Sequence, residues 1–243
     1  PVYNVPPTVS ISDAPIEGIE GERLFFKATH TDPSAVDKHT YYWNFGDGTN
    51  QLGPFDSYDN SNQIEYNYYN DGLFNIMAVA VDDDGDADTI YHQITIRNIP
   101  PLLESIKHKQ TADEGERVSF KSEFSDQGIN DIHTFIWNFG DGNLDTSFSN
   151  LIDHTYEDNN TYEIELIIFD DALDSDTLKS EITIQNVAPK IKAVIPERGD
   201  EGTPISLSLV IYDEGMNDTH SISWDLGDGN KDSTMEFTHQ YID

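Results

Sequence analysis

The 243-residue chain has 46 acidic and 13 basic residues, and its formal net charge at pH 7 is −33. A surface of this charge repels phosphate backbones and anionic lipids, which argues against nucleic-acid binding and membrane insertion. The chain contains no cysteine, and with 36% hydrophobic residues it is predicted to bury a core without disulfides.

The predicted elements are β-strands, because apolar and polar residues alternate along the chain. The alternating positions are, in chain order, Leu24, Phe26 and Ala28; Phe74, Ile76, Ala78 and Ala80; Ile94 and Ile96; Val118, Phe120, Ser122 and Phe124; Tyr162, Ile164, Leu166 and Ile168; Ile182 and Ile184; and Ile205, Leu207, Leu209 and Ile211. No segment has a convincing helical period. The fold class is therefore predicted to be all-β, built as two-sheet sandwiches.

One string occurs three times. Trp43-Asn44-Phe45-Gly46-Asp47-Gly48 returns at 137–142 and, slightly altered, at 224–229. Trp43 and Phe45 are predicted to fill the space between two sheets, while Gly46 and Gly48 form a tight turn. A feature present once per repeat builds each repeat rather than a single active site.

The repeats predict three domains, at residues 1–97, 98–185 and 186–243. Short Asn-x-Pro-Pro linkers begin the first two, and the third begins with Asn-Val-Ala-Pro. The third domain is expected to lack its last strands, because counterparts of residues 159–188 are missing from it. Either more chain beyond Asp243 or a partner that donates strands is expected to complete it.

These motifs resemble the polycystic kidney disease (PKD) domain, an immunoglobulin-like sandwich. The resemblance rests on the Trp string, on His154-Thr155-Tyr156 and His239-Gln240-Tyr241, and on Gly72-Leu73-Phe74 before a strand that closes on Asp82. The chain departs from the family pattern at Asn44, Asn138, Tyr66 and Asn160. The resemblance implies an extracellular module of a surface protein or an accessory domain of a secreted hydrolase.

Two groups of carboxylates are candidate calcium ligands, because calcium takes several hard oxygen ligands. The first group consists of aspartate runs in equivalent loops: Asp82, Asp84, Asp86 and Asp88, and Asp170, Asp171, Asp174 and Asp176. The first run is not an EF-hand, because Ala87 and Gln93 stand where that loop needs Gly and Glu.

The second group follows from the resemblance. The calcium site of PKD modules in collagenases implies a linker Asn, an Asp after the second strand and an Asp that closes the penultimate strand. The implied ligands are Asn4, Asp32 and Asp82; Asn98, Asp126 and Asp170; and Asn186 and Asp213. The alternative is that the acidic loops only solvate the surface of a halophilic or marine protein.

Other reactive side chains have structural interpretations. His39, His133 and His220 each recur near an Asp, and one His per repeat favours a structural hydrogen bond over a zinc site or a catalytic dyad. Tyr66 and its neighbours Tyr68 and Tyr69 could stack on a sugar, although aromatic residues in strands usually pack in the core.

The predicted function is that of a non-catalytic, extracellular, structural or adhesive spacer of a larger surface protein or filament, stiffened by calcium. The alternative is a substrate-binding accessory region of a secreted hydrolase, with a polysaccharide or protein as its substrate. The predicted partners are other surface-protein modules or neighbouring subunits, with polysaccharide as a further candidate. The predicted location is the cell surface or the extracellular space.

Overall fold

A computed structural model describes residues 3–242. All regular elements in this range are β-strands, which confirms the all-β prediction. The same range contains no helix that is long and apolar enough to cross a membrane.

The chain folds into two compact units. The first runs to Glu104 and also includes Phe124–Thr134 and Ile168–Asp176. The second comprises Ser105–Glu123, Phe135–Ile167 and the chain from Thr177 onward. The first unit therefore contains the first repeat together with two loop regions of the second repeat.

The first repeat is a sandwich of two sheets. Its strands are β1 (Thr8–Asp13), β2 (Glu17–Ile19), β3 (Leu24–Thr31), β4 (His39–Asn44), β5 (Leu52–Asp56), β6 (Ser61–Tyr66), β7 (Gly72–Asp82) and β8 (Ala87–Arg97). One sheet has the order β1-β3-β6 and the other β2-β8-β7-β4-β5. The β2–β8 pair is parallel and the other pairs are antiparallel. The predicted apolar faces of β3, β7 and β8 meet in one core.

The second repeat has the same strand order. Its strands are β9 (Leu102–Lys107), β10 (Thr111–Asp113), β11 (Arg117–Ser125), β12 (Thr134–Asn138), β13 (Leu144–Ser147), β14 (Leu151–Thr155), β15 (Asn160–Phe169) and β16 (Ser175–Gln185). They form sheets β14-β11-β9 and β10-β16-β15-β12-β13. The alternating apolar residues predicted for β11, β15 and β16 are buried, except that Phe124 and Tyr162 are half-buried.

The third segment has five shorter strands. They are β17 (Lys190–Val194), β18 (Ile205–Tyr212), β19 (Trp224–Asp225), β20 (Lys231–Asp232) and β21 (Glu236–His239). Strand β19 pairs with β20 alone among the described residues, whereas β4 pairs with both β5 and β7. Trp224 is accordingly half-buried, while Trp43 and Trp137 are fully buried.

The Trp string ends in a corner built by side-chain caps. Trp43 and Phe45 are 0% and 1% exposed, as their alternation predicts. The Asn44 Oδ1 accepts a hydrogen bond from the Gly46 amide at 2.8 Å, and the Asp47 Oδ1 accepts one from the Thr49 amide at 3.1 Å. The chain therefore turns sharply directly after the buried Phe45.

A tyrosine bonds the same corner in each repeat, and this tyrosine is buried in the first two. The Tyr68 hydroxyl donates a hydrogen bond to the Phe45 carbonyl at 3.0 Å, and the Tyr156 and Tyr241 hydroxyls make the equivalent bonds at 3.1 Å. The hydroxyl of Tyr66 also donates to the Asp47 Oδ2 at 2.5 Å.

The residue at the Tyr66 position is histidine in the two later repeats. The His154 Nε2 lies 2.7 Å from the Asp141 Oδ2, and the His239 Nε2 lies 2.8 Å from the Asp228 Oδ2. Tyr66 departs from the family pattern, but it reaches the same carboxylate of the turn. The substitution therefore keeps the hydrogen bond that holds the corner.

Glycine is needed in this corner for two reasons, which are the positive φ angle and the close approach of β7. Two matched variants separate these reasons. Gly46 and Gly48 have φ angles of +76° and +84°, so an alanine at either position is strained by about 1–2 kcal/mol. A Cβ at Gly46 would also lie 2.5 Å from the Asn75 carbonyl oxygen, whereas a Cβ at Gly48 would meet nothing within 4 Å. Urea denaturation is expected to show a clearly larger loss of stability for Gly46→Ala than for Gly48→Ala. Equal losses would show that the close approach of β7 is unimportant.

Candidate metal sites

The loops at one end of the first sandwich bring three carboxylates together. Asp32 follows β3, Asp37 precedes β4, and Asp82 is the last residue of β7. Each offers an oxygen, and these oxygens all lie within 4.8 Å of one another. The Asn4 Nδ2 donates a hydrogen bond to the Asp82 Oδ2 at 2.8 Å. The predicted set Asn4, Asp32 and Asp82 therefore lies in one place, with Asp37 added.

The second repeat has the same arrangement. Asp126, Asp131 and Asp170 place oxygens within 4.8 Å of one another. The Asn98 Nδ2 donates hydrogen bonds to the Asp170 Oδ2 and the Asp174 Oδ2, both at 2.8 Å. The predicted set Asn98, Asp126 and Asp170 is thus also assembled, here with Asp131.

The third cluster differs from the predicted set. Asp213 lies in it, but its neighbours are Asp218 and Glu114. Asn186 is exposed and makes no side-chain hydrogen bond within residues 3–242. Asn186 therefore does not join Asp213, and the third carboxylate of this cluster is Glu114 of the preceding repeat.

The sequence contained a signal for the missing aspartates. Asp37, Asp131 and Asp218 stand five residues after Asp32, Asp126 and Asp213, and each lies six residues before its Trp. They recur as strictly as the predicted ligands do, so the repeat could have identified them. Glu114 also recurs, as Glu20 and Glu201, but this recurrence does not indicate that its turn approaches the next repeat.

The aspartate runs do not form one ligand set. The Asp82 Oδ1 accepts hydrogen bonds from the amides of Asp84 and Asp86, which closes the turn after β7. The Asp88 Oδ2 accepts a hydrogen bond from the Val9 amide at 2.9 Å, and Asp176 binds the Leu103 amide in the same way at 2.8 Å. These carboxylates therefore support the turn and the first strand of each repeat.

A histidine orients the first aspartate of each cluster. The Nε2 atoms of His39, His133 and His220 lie 3.0, 2.8 and 2.6 Å from the Oδ2 atoms of Asp32, Asp126 and Asp213, respectively. These contacts agree with the structural interpretation of the histidines. Hydrogen bonds from the Ser34 amide and from His39 lower the pKa of Asp32, and the bond from His220 lowers that of Asp213.

Asp131 lies in the opposite electrostatic environment. Burial, with the charges of Glu20, Asp171, Asp126 and Asp170, raises the pKa of Asp131 to about 7. Its Oδ2 is buried and has no hydrogen-bond partner among residues 3–242. In the same range, no lysine or arginine forms an ion pair with any member of the three clusters.

The geometry and the donor type fit calcium. Calcium–oxygen distances are 2.3–2.6 Å, so two oxygens on one ion lie at most roughly 5 Å apart. The oxygens of each cluster meet this limit. The donors are carboxylates of the hard type that calcium prefers, and a Gly in the loop leaves space for one of them in two clusters. A Cβ at Gly128 would lie 2.3 Å from the Asp131 Oδ2, and one at Gly215 would lie 2.8 Å from the Asp218 Oδ2.

Two of the three tyrosines considered for sugar binding, Tyr66 and Tyr68, pack inside the first sandwich. Tyr68 is fully buried, and Tyr66 stacks on Phe45 with ring centroids 3.7 Å apart. Tyr58 and Tyr91 are exposed, at 80% and 66%, but they lie in a loop and on β8. In the described part of the chain, no ring contact joins them. Tyr69, the third tyrosine considered for sugar binding, is 42% exposed.

Comparison with known proteins agrees with the repeated geometry. The sequence model of the PKD domain matches residues 4–96, 98–185 and 186–243. The chain belongs to the PKD domain family. The immunoglobulin-like sandwich and the tandem arrangement implied by the Trp string are thereby confirmed, and PKD domains are non-catalytic modules.

Several solved PKD domains are similar to one part of this chain. The PKD1 domain of the Vibrio cholerae metalloprotease PrtV is 26% identical, with 35% of this chain and 98% of that domain covered and a TM-score of 0.30. The PKD domain of an M14-like peptidase from Thermoplasmatales archaeon SCGC AB-540-F20 is 24% identical, with 38% and 94% covered and a TM-score of 0.32. The PKD1 domain of Vibrio anguillarum Epp is 19% identical, with 37% and 98% covered and a TM-score of 0.31.

The crowding of carboxylates predicts that one of them destabilises the protein when no divalent cation is present. In EDTA, Asp131→Asn is expected to raise the free energy of unfolding by about 1 kcal/mol, because an amide removes a like charge and can donate to the neighbouring oxygens. Asp145→Asn on exposed β13 is the control, and it should have little effect. A loss of stability for Asp131→Asn in urea denaturation would contradict this account.

Proposed function

We propose that the chain is a non-catalytic extracellular segment of a larger surface protein or filament, in which tandem PKD domains form a structural and adhesive spacer stiffened by calcium. The observation that carries this proposal is the recurrence of the acidic clusters and of their His–Asp pairs at equivalent positions. An active site would require a set of groups present once. The partners of such a segment are other surface-protein modules or neighbouring subunits.

The recurrence extends to the hydrogen bonds. Each repeat pairs a His with the first Asp of its cluster, and each holds a second carboxylate in the Trp corner. Both arrangements stabilise loops between strands. None of them leaves a nucleophile beside a base, as hydrolysis by a protein side chain requires.

Calcium supplies the opposite charge that the clusters lack. The ligands in the first two repeats would be Asp32, Asp37 and Asp82, and Asp126, Asp131 and Asp170. Asn4 and Asn98 lie beside the last carboxylate of each set and join the linker to the site. An ion bound there would hold the linker, the loop after the second strand and the end of the long strand in one arrangement.

The first test of the proposal is catalytic. The purified chain is expected to hydrolyse no member of a panel of peptides and glycosides, because its clustered carboxylates and the histidines that bond aspartates are used in repeated structural contacts. Turnover that a single carboxylate substitution abolishes would contradict the proposal. Turnover that all such variants retain would indicate a contaminating enzyme.

The second test is thermal. An ion that binds the folded state alone stabilises it by about 2.7 kcal/mol at a hundredfold excess over Kd. Millimolar calcium is therefore expected to raise the Tm, and magnesium should raise it less because magnesium sheds water reluctantly. Asp126→Ala should lose most of the rise that the second repeat contributes, while Asp145→Ala should keep it. Each variant is compared with itself in EDTA, which separates ion binding from the loss of the His133 and Gly128 hydrogen bonds to Asp126.

Sodium chloride at matched ionic strength is the control for charge screening. If it reproduces the whole rise in Tm, screening of the acidic surface is sufficient and the calcium site is wrong.

A further inference from the structure

In each of the first two repeats, a glutamate in the turn after the second strand is buried. Only one of its two carboxylate oxygens has a hydrogen-bond partner among the described residues. Glu20 and Glu114 are 0% and 2% exposed. The Glu20 Oε2 accepts a hydrogen bond from the Ile99 amide at 3.0 Å, and the Glu114 Oε1 accepts one from the Val187 amide at 2.6 Å. The other oxygen of each side chain is buried and has no hydrogen-bond partner among residues 3–242. Burial of an unpaired charged oxygen is costly, so a ligand for it is expected.

The turn that carries each of these glutamates lies close to the loop that carries the acidic cluster of the following repeat. Glu114 offers an oxygen within 4.8 Å of those of Asp213 and Asp218. Glu20 is the equivalent residue one repeat earlier. The charge of Glu20 raises the pKa of Asp131, and the charge of Asp126 raises the pKa of Glu20. Glu114 is thus one of the three clustered carboxylates at its junction, whereas Glu20 is not one of the three at the earlier junction.

Glycines let the turn and the loop approach closely. Gly21 and Gly115 follow these glutamates with φ angles of +70° and +74°. A Cβ at Gly21 would lie 2.9 Å from the side chain of Gln127, and one at Gly115 would lie 3.0 Å from that of Glu214. Each turn thus contacts the residue directly after the first Asp of the next cluster.

A comparison of the three loops shows what the glutamate adds. In the first repeat Ser34 donates a hydrogen bond to the Asp37 Oδ1 at 2.7 Å. The equivalent residues in the later repeats are Gly128 and Gly215, which cannot donate from a side chain. Accordingly, Asp131 and Asp218 make no side-chain hydrogen bond within the described range. The loops that face a glutamate of the preceding repeat are the ones that lack the internal partner.

We propose that Glu114, Asp213 and Asp218 bind one divalent cation of the calcium class that joins the second and third repeats. This inference rests on the calcium binding in the proposed function and adds a ligand that comes from the neighbouring repeat. A cation shared in this way resists separation of the two repeats, because opening the junction removes one of its carboxylates. Calcium then acts on the junction as well as within each sandwich.

The test uses calcium titrations of the full chain observed by amide NMR. The Val187 amide bonds Glu114 and the Gly215 amide bonds Asp213, so both report on the third cluster. The Gly128 amide, which bonds Asp126, reports on the second cluster. All three signals are expected to move with calcium. Glu114→Gln should weaken calcium binding about tenfold or more at the third cluster, and it should leave the midpoint at Gly128 unchanged.

Glu201→Gln is the matched control. Glu201 occupies the equivalent turn in the third segment, with Gly202 at φ +72°, but it is exposed and belongs to no acidic cluster among the described residues. The Glu201→Gln variant should leave the calcium-titration midpoints of all three amide signals unchanged. The glutamine in Glu114→Gln can still accept the Val187 hydrogen bond, so its fold is expected to survive. In EDTA this variant should melt no lower than the wild type, since it loses a repelled charge, while in calcium it should melt lower.

The outcomes separate this inference from the proposed function. If Gly128 responds to calcium while Val187 and Gly215 do not, or if Glu114→Gln and Glu201→Gln behave alike, the shared site is wrong and calcium binding within a repeat stands. If none of the three amide signals responds to calcium, both the shared site and the proposed calcium binding are wrong. If Glu114→Gln melts lower than the wild type in EDTA as well as in calcium, Glu114 stabilises the fold without an ion and the inference is overturned.

Discussion

Burial of one tryptophan and one phenylalanine between two sheets determines the geometry of the first two repeats. Trp43 and Phe45 fill the sandwich, and the glycine-rich corner must therefore follow immediately, because the chain leaves the core within one residue. The tyrosine that bonds the Phe45 carbonyl then fixes where the corner sits relative to the opposite sheet. Once the sheets are placed in this way, the strand ends and their loops have little freedom.

The acidic clusters are a consequence of that restriction. The loop after β3, the start of β4 and the end of β7 lie at the same end of the sandwich, and each carries an aspartate. Aspartates on flexible loops would separate to reduce their repulsion, but strands that are held by a buried core keep them within 4.8 Å. The favourable burial of apolar surface offsets the electrostatic cost. A sequence with this property either tolerates that cost or recovers it by binding a cation.

Sequence patterns predicted what depends on local periodicity. The alternation at Phe26, Ile76 and Ile94 identified strands and their buried faces, because one side of a sheet must be apolar. The resemblance placed Asp32 beside Asp82 through a family pattern rather than through physics. Glu114 escaped prediction for a different reason. Whether a charged turn residue is exposed depends on the approach of another repeat, which no local pattern encodes, and its counterpart Glu201 is in fact exposed.

Comparison of the repeats also shows that equivalent positions beside the acidic clusters carry different residues. A serine at position 34 donates a hydrogen bond to Asp37 within the loop of the first repeat. At positions 128 and 215 a glycine removes that partner, and a glutamate from the preceding repeat lies close by instead. Neither change is favourable by itself, because the first leaves an aspartate unpaired and the second buries another negative charge next to it. Together they form the set of oxygens that the proposed cation would bind.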